Sequence, residues 1–231
     1  MQLRIVSYNV RSLRDDAQAV AALIRCLDVD VALIQEAPRF LRWRSKLAGL
    51  AHDSGLVYVT GGRTAAAMAV LCSMEVKVLA TRQILLPKRR WRHQRGIAAA
   101  VLELAGQRFG VASIHLGLDP AERVSHAARI EHELTGIDAE LAWVVGGDIN
   151  ELPSGPAWTR MSIGRLDTWL NAERRLEELT YSALNPQRRI DAIMCDPRFV
   201  VQEAGVPHGT DLDELMRRGS DHRPVLAQLG L

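Results

Sequence analysis

LAWVVGGDINELP, residues 141–153, is the stretch from which the fold is read. Its apolar part, 142–145, is short and unbroken, as suits a strand buried on both faces rather than one with a wet side. The run ends on Gly146 and Gly147 and then delivers Asp148 and Asn150. A carboxylate at the end of such a strand gains nothing from the core and is costly to bury unpaired. Either the aspartate bonds its own backbone in a tight turn, or it belongs to a polar site gathered at a sheet edge.

Outward from this segment the same signature recurs. Asn9 follows an apolar run at 3–8, Glu36 follows 31–35, and His115 follows 108–114. Asp191 lies inside 189–195, and Asp221-His222 stands directly before 224–229. Singly, each residue has an ordinary reading as a turn cap, a surface strand end or a hydrogen-bonded core histidine. His52, His93, His126, His132 and His208 stay in that core or surface class. Six strand ends with the same character point to one polar cluster on one edge.

Further strand-length apolar runs occupy 56–60, 66–72, 76–86, 97–104 and 199–206. Between the strands lie helices with clear punctuation. Asp15 and Asp16 precede a helical stripe of Val20, Leu23, Ile24 and Leu27. Asp119-Pro120-Ala121-Glu122 has a capping aspartate, a proline at the first helical position and a glutamate three residues after the cap, with Gly136 as the closing residue. A third helix is predicted over 39–50, with Phe40, Trp43, Leu47 and Leu50 on one side. No repeat or linker divides the chain, so residues 1–231 read as a single domain. The element order predicts an α/β fold of two packed mixed sheets flanked by helices.

The 231 residues are 48% hydrophobic and 24% charged, which excludes disorder and supplies a sizeable core. The longest uncharged run, 64–74, is far shorter than the ~18 apolar residues of a membrane span. The opening MQLRIVSYNV enters a strand pattern without the marks of a secretory signal, so the expected location is cytoplasmic. Cys26, Cys72 and Cys195 sit among apolar residues and read as reduced core thiols. A formal charge of +2 demands no polyanionic partner, and no obligate protein partner is indicated.

SYNV at 7–10, QE at 35–36, SIHLG at 113–117, GGDIN at 146–150, TY and RIDAI within 180–193, and SDHRPV at 220–225 together resemble the endonuclease/exonuclease/phosphatase superfamily. The resemblance runs from residue 7 to residue 225. It implies a four-layer αββα sandwich and divalent-metal-dependent cleavage of phosphoesters, with Mg²⁺ as the expected ion and Mn²⁺ as the substitute. A hard cation held by one or two carboxylates neutralises a phosphodiester that would otherwise repel its nucleophile. By this resemblance Glu36 is the first metal ligand, Asn9 and Asp221 stand beside it, and Asp148 offers a second position. His222 activates or orients water with Asp191 on its other ring nitrogen. Asn150 positions the phosphate and the water, and either His222 or Asp148 takes the proton.

Departures from the superfamily narrow the substrate. The abasic-site branch has an aspartate two residues after the first-strand asparagine and a tyrosine in place of His115, whereas this chain has Arg11 and His115. Deoxyribonucleases share an arginine at the position of Arg11 and pair their histidine with a glutamate on a preceding strand. No acid occurs between Glu75 and Glu103, where the nearest region reads Gln94-Arg95-Gly96, so His115 is assigned an electrostatic role. Ser182 replaces the proline of many relatives, with no clear chemical meaning.

KRRWRHQR at 88–95 carries five fixed positive charges and a tryptophan without an acid. It reads either as a groove for a phosphate backbone, with Arg89, Arg90, Arg92 and Arg95 as contacts beside Arg11, or as a solvated loop. Arg39, Arg42, Arg44 and Lys46 around Trp43 read as decoration of an amphipathic helix. The expected function is a metal-dependent phosphodiesterase, foremost a nuclease with DNA or RNA as its partner and substrate. The alternatives are hydrolysis of a small or lipid-linked phosphoester, or a non-catalytic phosphate-binding module on the same fold.

Overall fold

The computed structural model describes residues 1–88 and 91–231; Arg89 and Arg90 of the basic segment lie outside the described residues. The first half comprises β1 (Gln2–Asn9), α1 (Ala17–Cys26), β2 (Val31–Gln35), α2 (Trp43–Asp53), β3 (Val57–Gly62), β4 (Met68–Cys72), β5 (Lys77–Leu85), β6 (Gly96–Leu104) and β7 (Gln107–His115). Then follow α3 (Pro120–Ile137), β8 (Trp143–Asp148), α4 (Pro156–Met161), β9 (Leu166–Asp167), α5 (Thr168–Asn171) and β10 (Arg174–Arg175). The chain closes with β11 (Asp191–Cys195), β12 (Val200–Gly205), α6 (Thr210–Gly219) and β13 (Val225–Gly230).

These strands form a seven-stranded sheet, β10-β12-β13-β1-β2-β4-β3, and a six-stranded sheet, β5-β6-β7-β8-β11-β9. Both are mixed: β1 runs parallel to β2 and antiparallel to β13, and β7 runs parallel to β8 while β11 opposes it. Alternation along each strand sorts side chains between layers. Leu3 and Ile5 of β1 join Leu33, Val111, Val144 and Ile193 in the core between the sheets. Val6 and Tyr8 face the opposite way, into the layer with Val20, Leu23, Ile24 and Met216 of α1 and α6. On the far side Ile97, Ile114 and Val145 pack on Ile130 and Leu134 of α3 and Trp158 of α4. The four-layer αββα sandwich expected from the sequence is therefore present.

At one end the two sheets approach closely. A Cβ at Gly146 would lie 2.8 Å from Leu33 Cδ1 and 3.0 Å from Ser7 Cβ, and one at Gly147 would lie 2.0 Å from the Ile114 carbonyl oxygen. At Gly147 the obstacle is the backbone of β7 and only glycine fits; at Gly146 a side chain would require Leu33 and Ser7 of the other sheet to give way. A buried polar staple spans the gap nearby: Gln35 Nε2 donates to Ser113 Oγ at 3.0 Å, and Ser113 donates back to the Ile34 carbonyl at 2.7 Å.

The helix starts follow their caps. Asp16 accepts from the amides of Gln18 and Ala19, and Asp119 accepts from that of Glu122. Several expectations need correction. α3 runs through Gly136 to Ile137 and stops at Asp138, so Gly136 does not close it. α2 starts at Trp43 because Arg42 takes a left-handed backbone (φ 58°) that breaks any earlier turn, which leaves Phe40 off the helix and 75% exposed. β5 is not a buried strand: as an edge strand it pairs only with β6, and nearly all its side chains are exposed. Cys26, at the end of α1, is exposed, while Cys72 and Cys195 are buried. Among the described residues no helix is long and apolar enough to cross a membrane.

Candidate active site

Topology assembles the site before any side chain is considered. β7 and β8 run parallel and β11 antiparallel to them, so the register places His115 beside Asp148 and Asp148 beside Asp191. In the other sheet Asn9 pairs with Gln35, which puts Glu36 one residue past the end of β2. β13 runs opposite to β1, so the residues preceding it, Asp221 and His222, return to that same edge.

Local bonds fix each group. Ser220 Oγ donates to the Asn9 carbonyl at 2.7 Å and accepts from the His222 amide at 3.3 Å, tying the 220–222 turn to β1. Thr180 Oγ1 accepts from the amides of Ile190 and Asp191 at 3.1 and 3.2 Å and so aims the start of β11. Behind that start the Arg189 guanidinium lies between the rings of Trp158 and Trp169, 5.0 and 5.1 Å from their centroids, and pairs with Asp167. Tyr181 sets its ring 4.9 Å from that of His222.

Asp191 turns both carboxylate oxygens to His222 Nδ1, at 2.9 and 3.1 Å. The other ring nitrogen, Nε2, faces Asp148 Oδ2 at 3.7 Å. Burial alone would lower the His222 pKa, but Asp191 and then Asp148 and Asp221 outweigh it, and the imidazole is held well above its ordinary range. Asp148 is raised, first by burial and then by Asp191; His222, the Asn150 amide and Asn9 oppose the shift. The Asn150 amide donates to Asp148 Oδ1 at 2.9 Å, and Asn9 Nδ2 donates to Asp148 Oδ2 at 3.2 Å. Asn9 Nδ2 also reaches Glu36 Oε1 at 3.4 Å.

His115 finds its carboxylate in Asp148, with Nε2 3.2 Å from Oδ2, rather than in an acid of a preceding strand. Asn150 Nδ2 lies 3.0 Å from the same nitrogen. Burial, followed by Arg95 and His222, drives the His115 pKa well below its ordinary value, so this imidazole is neutral.

Glu36, Asp148, Asn150, His115, Asp221, His222 and Arg95 border one cleft of ≈ 750 Å³. Arg11 is drawn elsewhere: its Nε lies 3.4 Å from Asp221 Oδ2 and its Nη1 3.2 Å from Asp15. Arg92 pairs with Asp119 at 3.3 Å, away from the carboxylates. The cleft wall also holds Tyr181, Arg188 and His93, which sequence reasoning missed. Tyr181 belongs to the quoted TY pair and His93 to the basic segment 88–95, where it reads as a core or surface histidine, so both were within reach, whereas no local pattern marks Arg188.

Asp148, Asp191 and His222 offer ligand atoms within 4.8 Å of one another. Both Asp191 oxygens are engaged by His222, so this trio suits a hydrogen-bonded relay better than an ion cage. The carboxylates of Glu36 and Asp221 also border the cleft and are donors of the type a hard divalent cation takes, and Asn9 stands beside Glu36 with Nδ2 3.4 Å from Oε1. Asp148 is raised by burial and then by Asp191, and His222 is raised by the surrounding carboxylates; a bound cation would balance that gathering of negative charge.

No curated protein matches the chain in sequence. Solved structures do match in fold. An endonuclease/exonuclease/phosphatase family protein from Bacteroides thetaiotaomicron superposes with a TM-score of 0.83 at 18% identity, covering 99% of this chain and 97% of that one. A mannosyl-6-phosphatase from the same organism gives 0.83 at 17% identity, covering 99% and 100%. TDP2 of D. rerio, complexed with a single-strand DNA product, gives 0.75 at 17% identity, covering 100% and 99%. The Endonuclease/Exonuclease/phosphatase family pattern matches residues 6–222, from the first strand to His222. The chain belongs to that family of phosphoester hydrolases.

Proposed function

We propose that this chain, acting as one domain, is a divalent-cation-dependent phosphodiester hydrolase of the nuclease type. One observation carries the reading: His222 stands between Asp191 and Asp148 in a cleft that also presents Glu36 and Asp221. Binding alone has no use for a histidine clamped on one side by a carboxylate and opposed on the other by a second.

Glu36, Asp221 and Asn9 would hold the cation, with Mg²⁺ or Mn²⁺ as the fitting ions, and Asp148 borders a second position. When bound, the cation supplies charge neutralisation for the phosphate and the developing negative charge. Asp191 keeps His222 protonated at Nδ1, and the imidazolium presents Nε2–H to the phosphoryl oxygens as a fixed positive group. Asp148, whose carboxyl is raised toward neutrality, takes the proton from the attacking water. Asn150 positions water and phosphate, and His115 acts as a neutral hydrogen-bonding neighbour of Asp148. Arg95 faces the scissile phosphate, whereas Arg11 acts through its contact with Asp221.

A second reading, a phosphomonoesterase, is favoured by the fold likeness to the mannosyl-6-phosphatase. The deciding experiment is a hydrolysis panel of single- and double-stranded DNA, RNA, bis-p-nitrophenyl phosphate and p-nitrophenyl phosphate, each with Mg²⁺, Mn²⁺ and EDTA. We expect diester turnover with either ion and none in EDTA. Turnover that survives EDTA, or monoester turnover without diester turnover, overturns the reading.

A further inference from the structure

Beside the catalytic cleft lies a second hollow of ≈ 400 Å³, and the two adjoin across Arg39, Phe40, Ala66 and His93, which line both. Their chemistry differs. The catalytic end mixes Glu36, Asp148 and Asp221 with arginines, whereas the second hollow is bordered by Arg39, Arg63, Lys88 and Arg92 and has no acid in its lining. Among the described residues Arg39, Arg63 and Lys88 form no ion pair, and only Arg92 of the four is held by an aspartate. On the shared rim Phe40 is 75% exposed, with the Arg39 guanidinium 5.2 Å from its ring centroid.

We propose that this hollow is a strand-binding subsite, which takes a nucleotide of single-stranded nucleic acid next to the phosphate being cleaved and lays its base on Phe40. The inference rests on the phosphodiesterase reading and names the part of the substrate that the second hollow grips. A backbone that leaves the scissile position carries further phosphates, and unneutralised cations on one side of the cleft are matched to them. Its base has a π-face for an exposed ring, and a base is free to stack there only when it is not already paired and stacked in a duplex. A small sugar phosphate has neither the second phosphate nor the π-face. The volume lies within the roughly 300–1,000 Å³ of ligand clefts.

The test uses Phe40→Ala, Arg63→Ala and the double variant, whose altered side chains are exposed and outside the cores. KM and kcat are measured for short oligo(dT) and for bis-p-nitrophenyl phosphate with Mg²⁺ across a range of salt. Stacking of one base predicts that Phe40→Ala raises the oligonucleotide KM by about tenfold. Loss of one phosphate contact predicts that Arg63→Ala lowers the salt slope by about one. Arg63→Ala, whose side chain borders the second hollow and not the catalytic cleft, keeps wild-type kinetics on bis-p-nitrophenyl phosphate. Wild-type oligonucleotide KM and salt slope in the double variant overturn the subsite, as does equal inhibition of wild type and Phe40→Ala by heparin combined with an unchanged KM, which marks a patch of charge alone. Should the wild type hydrolyse no diester, the phosphodiesterase reading falls by itself. Anisotropy of labelled oligo(dT) in EDTA then still tests the subsite, which predicts weaker binding by Phe40→Ala and is overturned by equal binding.

Discussion

His222 is restrained on three sides, by both oxygens of Asp191, by the Tyr181 ring and by Asp148 facing Nε2. A side chain held this way is already oriented when substrate arrives, and orientation that need not be found during the reaction lowers the barrier. Because Asp191 acts only through His222, the two should behave as a unit. We expect His222→Gln and Asp191→Asn each to lose several orders of magnitude in kcat, and the double variant to lose little more than the worse single one. Steady-state kinetics on bis-p-nitrophenyl phosphate, with circular dichroism to verify folding, provides the check. Losses that multiply would show that the pair is not coupled. Thr180 extends the logic one residue further back, since its hydroxyl serves two buried amides at the entry to β11.

At the scale of elements, β8 is the strand on which the site depends, because Gly146 lets the two sheets close and Gly147 lets β7 lie tightly against β8 just before Asp148. A methyl group at Gly147 meets the Ile114 carbonyl and must push β7 away from β8, which moves His115 relative to Asp148. We expect Gly147→Ala to cost about 1–3 kcal/mol, seen as a Tm lower by about 2–4 °C per kcal/mol, and to reduce kcat beyond that loss of folded protein. A variant with wild-type Tm and kcat would refute the close-approach argument. The strands, α1 and the start of α3 were legible in the sequence because their signals are local: apolar runs, an aspartate cap, a proline after it. The polar strand ends were legible because a carboxylate there has few structural reasons to exist. What escaped was built by contacts distant in sequence. The two-residue strands β9 and β10 and the short helices α4 and α5 have no periodicity to display; the segment is held by Arg189 between two tryptophans and by Asp167. α6, ten residues long, is strongly polar on average and carries a narrow apolar stripe, with just Met216 and Gly219 buried. Phe40 resembled a helix-face residue until the left-handed backbone at Arg42 took it out of the helix.

Across the whole molecule, the convergence of Glu36, Asp148, Asp191 and Asp221 on one edge opposes folding in the absence of a cation, and an ion that binds only the folded chain opposes that cost. Saturation at about a hundred times Kd corresponds to about 2.7 kcal/mol. We expect Mg²⁺ to raise Tm in thermal melts, and Glu36→Gln to remove that rise while leaving the metal-free Tm equal or higher. An undiminished rise in the variant would place the ion elsewhere.

The pairing of β1 with β13 has one more consequence. The Met1 amine donates to the Leu231 carbonyl at 2.8 Å and the Leu231 amide donates to the Met1 carbonyl at 3.1 Å, so the chain is close to a closed ring. Asn9, buried behind the cleft and bonded to its Glu36 and Asp148, stands at the other end of β1, about 25 Å away at the ordinary rise of a strand. A tether attached at either terminus therefore leaves from the pole opposite the cleft, and the molecule can be anchored to a surface or fused to a second protein with its working edge turned outward.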